Sequence, residues 1–249
     1  MELLLVNPNT SAFVTAAVTA EAERAAAPGT AIRGVTGEMG AAIIGCRSEN
    51  AIGAVSAMEL AAAHAGDCNA VLLAVSFDSA LAELRELLAV PVVGMTEAAM
   101  LTACMVGARF ALLSFGERAM PLYERLVHGY GLRDRFAGAF SLGTLTPEEL
   151  RDRGIVLPLI AEEAERAIAH ARAEAIVLAG AVFAGLARDL RDRLPVPVLD
   201  GIACGVTMAE MLVRLDLAKP GAGSYRHPPA REMAGLGPAL TTLYRSLPG

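Results

Sequence analysis

The chain has 249 residues, enough to bury one large core or two of roughly 110–130 residues each. Its hydrophobic fraction is 54%, but no apolar run reaches the ~18–20 residues that cross a bilayer. A formal net charge of −6 without any basic run argues against nucleic acid as the main partner.

Short apolar runs alternate with longer amphipathic ones along the whole chain. The opening MELLLVNPNT goes straight into a predicted strand, Leu3–Val6, with no basic segment ahead of it, so a cytoplasmic protein is expected. A helix is predicted over Ser11–Ala26, a strand over Ala31–Val35 and a helix over Glu49–His64. Strand Val71–Val75, helix Ala80–Leu88, strand Pro91–Gly94 and helix Glu97–Val106 follow. The second half repeats the rhythm: strand Phe110–Leu113, helix Glu117–Tyr130, strand Ala137–Leu142, helix Leu157–Ala171 and strand Ile176–Leu178. Helix Ala184–Arg193, strand Pro197–Leu199 and helix Ile202–Leu215 complete it. The Pro/Gly-rich stretch Lys219–Pro229 reads as a long loop before a last helix. Strands without polar alternation, each followed by a helix, imply a parallel α/β, doubly wound architecture.

The two halves also repeat in sequence. Residues 70–90, AVLLAVSFDSALAELRELLAV, match residues 175–195, AIVLAGAVFAGLARDLRDRLP, at an offset of about 105, and each runs into Val-Pro-Val. Two similar domains facing each other across a cleft are expected, residues 1–105 plus 206–249 forming the first and 106–205 the second.

In such sheets ligands sit beyond the carboxyl ends of the strands. Six ends were read this way: Asn7–Thr10, Ser76–Asp78, Met95–Glu97, Ser114–Gly116, Gly180–Val182 and Asp200–Gly201. Asn7, Asn9 and Thr10 put two amides and a hydroxyl at a helix start, either for a ligand or as a capped turn. Ser76 has a hydroxyl for a substrate, Phe77 follows it, and Asp78 is a helix cap or a base. Thr96 and Glu97 open another helix; a buried Glu97 would be a base, a solvated one would face the helix dipole. Ser114 adds a hydroxyl in the second half. The small residues Gly180 and Ala181, with Val182, offer backbone N–H groups to an oxyanion. Cys204 is the one cysteine near a strand end, where a helix start would favour its thiolate. Cys46, Cys68, Cys104 and Cys204 lack metal-ligand spacing, and no metal site is expected. No histidine sits at a strand end, though His227 lies in the long loop, a possible lid. Neither GxGxxG nor a P-loop is present, so no nucleotide cofactor is expected.

Five blocks in order, LLLVNPNTS, AVSFDSAL, VPVVGMTEAA, EAIVLAGAVFAGLA and VPVLDGIACGVTMAE, resemble the aspartate/glutamate/hydantoin racemase superfamily, nearest its hydantoin and allantoin racemase branch. The resemblance implies two flavodoxin-like domains related by a pseudo-twofold axis, no cofactor, and two cysteines facing each other across the cleft. One thiolate removes a Cα proton and the other thiol returns one on the opposite face. The resemblance lays the first family cysteine on Ser76 and the second on Gly180, or on Ala181 by the internal repeat, and none of these is a thiol. The expected activity is therefore proton abstraction next to a carbonyl by a variant without the thiol pair. Glu97 or Asp78 would be the base, with Ser76 and the Gly180–Val182 backbone holding the enolate. A lyase or decarboxylase with Cys204 as proton donor, a hydrolase with Ser76 as nucleophile, and an inactive binding protein are the alternatives. The expected partners are a small carboxylate or cyclic amide and further copies of the chain.

Overall fold

The computed structural model describes residues 1–248. It contains two four-stranded parallel sheets of matching order. The first joins β1 (Glu2–Asn7), β2 (Ala31–Thr36), β3 (Ala70–Leu73) and β4 (Val92–Gly94) in the order β2-β1-β3-β4. The second joins β5 (Phe110–Ser114), β6 (Phe136–Ser141), β7 (Ala175–Leu178) and β8 (Val198–Asp200) in the order β6-β5-β7-β8. The four inner strands β1, β3, β5 and β7 are almost wholly buried. Their unbroken Leu/Val/Ile/Ala runs are what a sheet covered on both faces requires.

Helices α1 (Ala12–Ala25), α2 (Arg47–His64), α3 (Leu81–Leu87) and α4 (Met95–Val106) accompany the first sheet. Helices α5 (Met120–Gly129), α6 (Arg153–Ala171) and α7 (Leu186–Leu190) accompany the second. Ser11 caps α1 by accepting a hydrogen bond from Val14 N. The α6 helix begins four residues before its predicted start, because Asp152 accepts from Gly154 N and Pro158 is accommodated inside the helix. The predicted helix over 184–193 shortens to α7, because a 3-10 turn at Ala181–Phe183 and Gly185 at φ +82° occupy the preceding residues.

The last helices return to the first sheet. In α8 (Gly201–Arg214), Ile202, Val206 and Ala209 pack with Leu3, Leu5 and Leu72, so the chain crosses back at the start of this helix. In α9 (Pro238–Ser246), Leu240 packs with Leu87. An ion cluster around the buried Glu21 also joins the halves: Glu21 on α1 pairs with the more exposed Arg24 on its own helix and Arg188 on α7. Among the described residues no helix is long and apolar enough to cross a membrane.

The register makes the symmetry explicit. Val6 pairs with Leu73 in the first sheet, and Leu113 pairs with Leu178 in the second. Residues 73 and 178 are thus equivalent, which makes Val75 the counterpart of Gly180 and Ser76 that of Ala181. The register follows the internal repeat, which sets Ser76 against Ala181 rather than Gly180.

Candidate active site

The carboxyl ends of both sheets face one cleft of about 110 Å³. Its floor is formed by Val75 and Ser76 beyond β3 and by Gly180, Ala181 and Val182 beyond β7. Asn9 lines it from the β1–α1 turn and Phe115 from the end of β5. The strand ends that the repeat predicts to converge therefore do so from both halves.

Several candidates stand behind this lining. Asn7 is fully buried; its Nδ2 donates to Asn9 Oδ1 at 2.9 Å and to Thr15 Oγ1 at 3.0 Å. Asn9 Oδ1 also accepts from Ser11 N at 2.9 Å. Asn7 thus fixes the Asn9 side chain, which the cleft reaches. Thr10 is exposed, and its backbone N–H ties the turn to Ala41 O. Thr96 Oγ1 donates to Ser76 O at 2.8 Å and holds the segment that carries the serine.

Ser76 Oγ lies 2.7 Å from Tyr123 Oη, and Ser114 Oγ donates to the same phenol at 3.2 Å. Burial pushes the Tyr123 phenol up to about 12, so it is a neutral hydroxyl at ordinary pH. Phe77 stacks beside it, with ring centres 4.8 Å apart. A chain of hydroxyls therefore runs Ser114, Tyr123, Ser76 and ends at the cleft. Tyr123 was not singled out by sequence because it falls on the apolar face of α5. A buried tyrosine's need for a polar partner was the available signal.

The two carboxylates sit elsewhere. Asp78 is buried at φ +48° and accepts from Thr96 N at 3.0 Å, Glu97 N at 2.8 Å and Tyr130 Oη at 2.8 Å. It caps α4, while burial pushes its carboxyl up to about 7 against the pull of those three donors. Glu97 is paired with Arg85 and lines a second groove with Arg47, Arg125 and Tyr130. Neither residue is in the lining of the cleft between the sheets.

Cys204 also lies outside that lining, in a groove shared with Arg188 and Asp200. Burial pushes its thiol up to about 11, which outweighs any help from the helix start. Alkylation of Cys204 by iodoacetamide at pH 8 is expected to run roughly a hundredfold slower than that of an ordinary thiol, since thiolate falls tenfold per unit of pKa. Peptide mapping of the alkylated protein measures this, and rapid labelling of Cys204 contradicts it. His227 lines a surface groove with Lys219 and Arg226 and does not reach the cleft.

Ser11, Phe13 and Val14 line the cleft from the start of α1, and the rest of the lining comes from the segments after β2 and β6. Ala42, Ile43 and Ile44 follow β2; Pro147, Leu150 and Arg151 follow β6. These are symmetry-related positions, and each segment covers the cleft from its own half. Among the described residues no cluster of three or more His, Cys, Asp or Glu side chains is placed to hold a metal.

The family model described as Asp/Glu/hydantoin racemase matches residues 3–209, more than four-fifths of the chain. The chain belongs to this family. The racemase fold also matches solved structures: an allantoin racemase from Pseudomonas fluorescens is 35% identical, with a TM-score of 0.91, covering 94% of this chain and 100% of that one. The Klebsiella pneumoniae allantoin racemase is 32% identical, with a TM-score of 0.92, covering 97% and 99%. A hydantoin racemase from Pseudomonas sp. (strain NS671) is 31% identical over 94% of this chain and 95% of its own length. The lining of this chain's cleft contains no cysteine among the described residues.

Proposed function

We propose that this racemase-family protein catalyses cofactor-independent proton exchange at a carbon next to the carbonyl of a small carboxylate or cyclic amide. Solvent hydroxide in the cleft takes the substrate's proton and becomes water; the Ser76 O–H returns a proton to the carbanion and is reprotonated from solvent. The observation that carries this reading is the Ser76 hydroxyl in the cleft lining, backed at 2.7 Å by Tyr123. Ser114 donates to Tyr123, whose own O–H has two acceptors in reach, Ala179 O at 3.4 Å and Ser76 Oγ at 2.7 Å; given to the nearer Ser76, it leaves the serine O–H to face a ligand. Asn9 and the N–H groups of Gly180–Val182 would receive the oxygen on which enolate charge develops. Asp78 and Thr96 position the Ser76 segment rather than touch substrate. Glu97, tied to Arg85, holds the start of α4.

The opposite wall, Gly180 and Ala181, has no side chain able to carry a proton. Exchange with solvent therefore proceeds on one face, faster than inversion. An enolate released by loss of a neighbouring group needs a proton on one face only, so this one-sided arrangement favours a lyase as the second reading. Four free cysteines fit a reducing compartment such as the cytoplasm. The exposed Leu101, Met105 and Val106 of α4 offer an apolar face for a second copy of the chain.

The test is deuterium incorporation at C5 of 5-methylhydantoin in D2O. The expected result is exchange that outpaces loss of optical rotation and falls by about 10²–10⁴-fold in Ser76→Ala. Wild-type rates in Ser76→Ala, or a wild-type protein that binds hydantoins without exchanging them, overturn the proposal; the latter outcome defines a binding protein.

A further inference from the structure

Arg151 is the one charged residue among those that line the cleft. It belongs to the segment after β6, and its guanidinium carbon lies 4.5 Å from the ring centre of Phe13 on α1. Arginine and ring come from opposite halves, so the pair spans the cleft mouth. Stacking on an aromatic face fixes the guanidinium plane and leaves its N–H edges open. No carboxylate pairs with Arg151 among the described residues. Its acidic neighbours in sequence are committed: Asp152 caps α6 at Gly154 N, and Glu149 accepts from Thr146 N. The rest of the lining is neutral and mostly apolar, with Ile43, Phe115 and Leu150 among its walls. A positive charge without a partner over an otherwise neutral cleft selects for an anion.

We infer that Arg151 is the specificity-determining residue of this cleft and that it pairs with a carboxylate carried by the substrate outside its reacting carbon. The preferred substrate is then a small cyclic amide or acid bearing an anionic side group. The inference rests on the cleft assignment made above but not on the proton chemistry.

Two probes separate these points. 5-Carboxymethylhydantoin and 5-methylhydantoin share the ring and the acidic C5 and differ in the carboxylate. Their binding to wild type, Arg151→Ala and Arg151→Lys is measured by calorimetry, with exchange at C5 followed in parallel. Arg151 is exposed, and thermal melting checks that its variants keep the fold. The expected result is a preference of wild type for the anion of about tenfold or more, consistent with a charge-assisted hydrogen bond. Arg151→Ala weakens binding of the anion far more than that of 5-methylhydantoin and so removes most of that preference, while Arg151→Lys restores part of it. Equal affinity of wild type for both probes, no binding of the anion, or an equal loss on both probes in Arg151→Ala overturns the inference. Arg151-dependent binding without exchange keeps the anion site and removes the proton-exchange reading. Exchange of both probes regardless of Arg151 does the reverse.

Discussion

Replacing Asp78 by alanine is expected to destabilise the protein by about 2–3 kcal/mol, the largest effect of any single change around the cleft. The carboxylate is buried and takes three hydrogen bonds, two from the first backbone N–H groups of α4 and one from Tyr130. Loss of the cap costs about 1–2 kcal/mol and loss of the phenol's partner about 1 more. The φ of +48° strains aspartate and alanine alike, since both carry a Cβ that crowds the carbonyl in the left-handed region. Asp78→Gly relieves that strain and Asp78→Asn keeps one acceptor oxygen, so both should fall between wild type and alanine. The site has been shaped around the carboxylate: a Cβ on Gly94 would lie 2.5 Å from Asp78 Cγ. A pH signature goes with it. Burial raises the folded-state pKa from 3.8 to about 7, so the folded protein holds this proton more tightly than the unfolded chain. The stability of wild type relative to Asp78→Asn is fully present below about pH 4 and is lost as pH rises through 7. Urea titrations at pH 4, 5.5 and 7 measure both effects. A variant as stable as wild type, or a gap that widens with pH, refutes the assignment.

The central strands were legible because burial on both faces leaves only one composition available, as LLLV, AVLL, FALL and AIVL show. The internal repeat made the two-sheet plan and the convergence of Ser76 with Gly180–Val182 legible as well. What stayed hidden depends on partners far away in sequence. Glu97 looks like a free first-turn carboxylate until α3 brings Arg85 to it. Cys204 looks activated by its helix start until packing buries it. Asn7 and Asn9 look alike, yet only Asn9 lines the cleft because Asn7 is spent on holding it. The segments after β2 and β6 carry no periodic pattern, so nothing local marks Ile43 or Arg151 as lining residues.

The second large effect is a gain. The family mechanism implied by the resemblance sets two thiols across the cleft, one of them at residue 180; the register gives residue 180 the symmetric partner Val75, next to the Ser76 on which the resemblance lays the other thiol. Both lie in the lining, one as valine and one as glycine. The double variant Val75→Cys/Gly180→Cys is therefore expected to racemise 5-methylhydantoin at least about a hundredfold faster than wild type, since it places an acid–base group on each face. Val75 already has a side chain of comparable size. At Gly180 a Cβ would come within 3.0 Å of Phe183 Cδ2 and 3.5 Å of Phe115 Cε1. Those are edges of rings whose mutual contact is T-shaped at 5.7 Å, and a shift of a few tenths of an ångström relieves the approach. The Gly180 backbone, at φ 161°, is extended and accepts any residue. A thiol titrates near 8.5, so the gained rate should peak on the alkaline side of neutrality, where one thiol is ionised and the other is not. Each single variant should exchange the C5 proton without inverting the centre. The pair one residue along, Ser76→Cys/Ala181→Cys, is also symmetric and serves as the comparison; it removes the hydroxyl bonded to Tyr123 and should gain less. Polarimetry and deuterium exchange on the same samples decide the matter. A folded 75/180 double variant that binds the hydantoin and leaves its rotation unchanged would show that the two strand ends do not oppose each other across one reacting carbon.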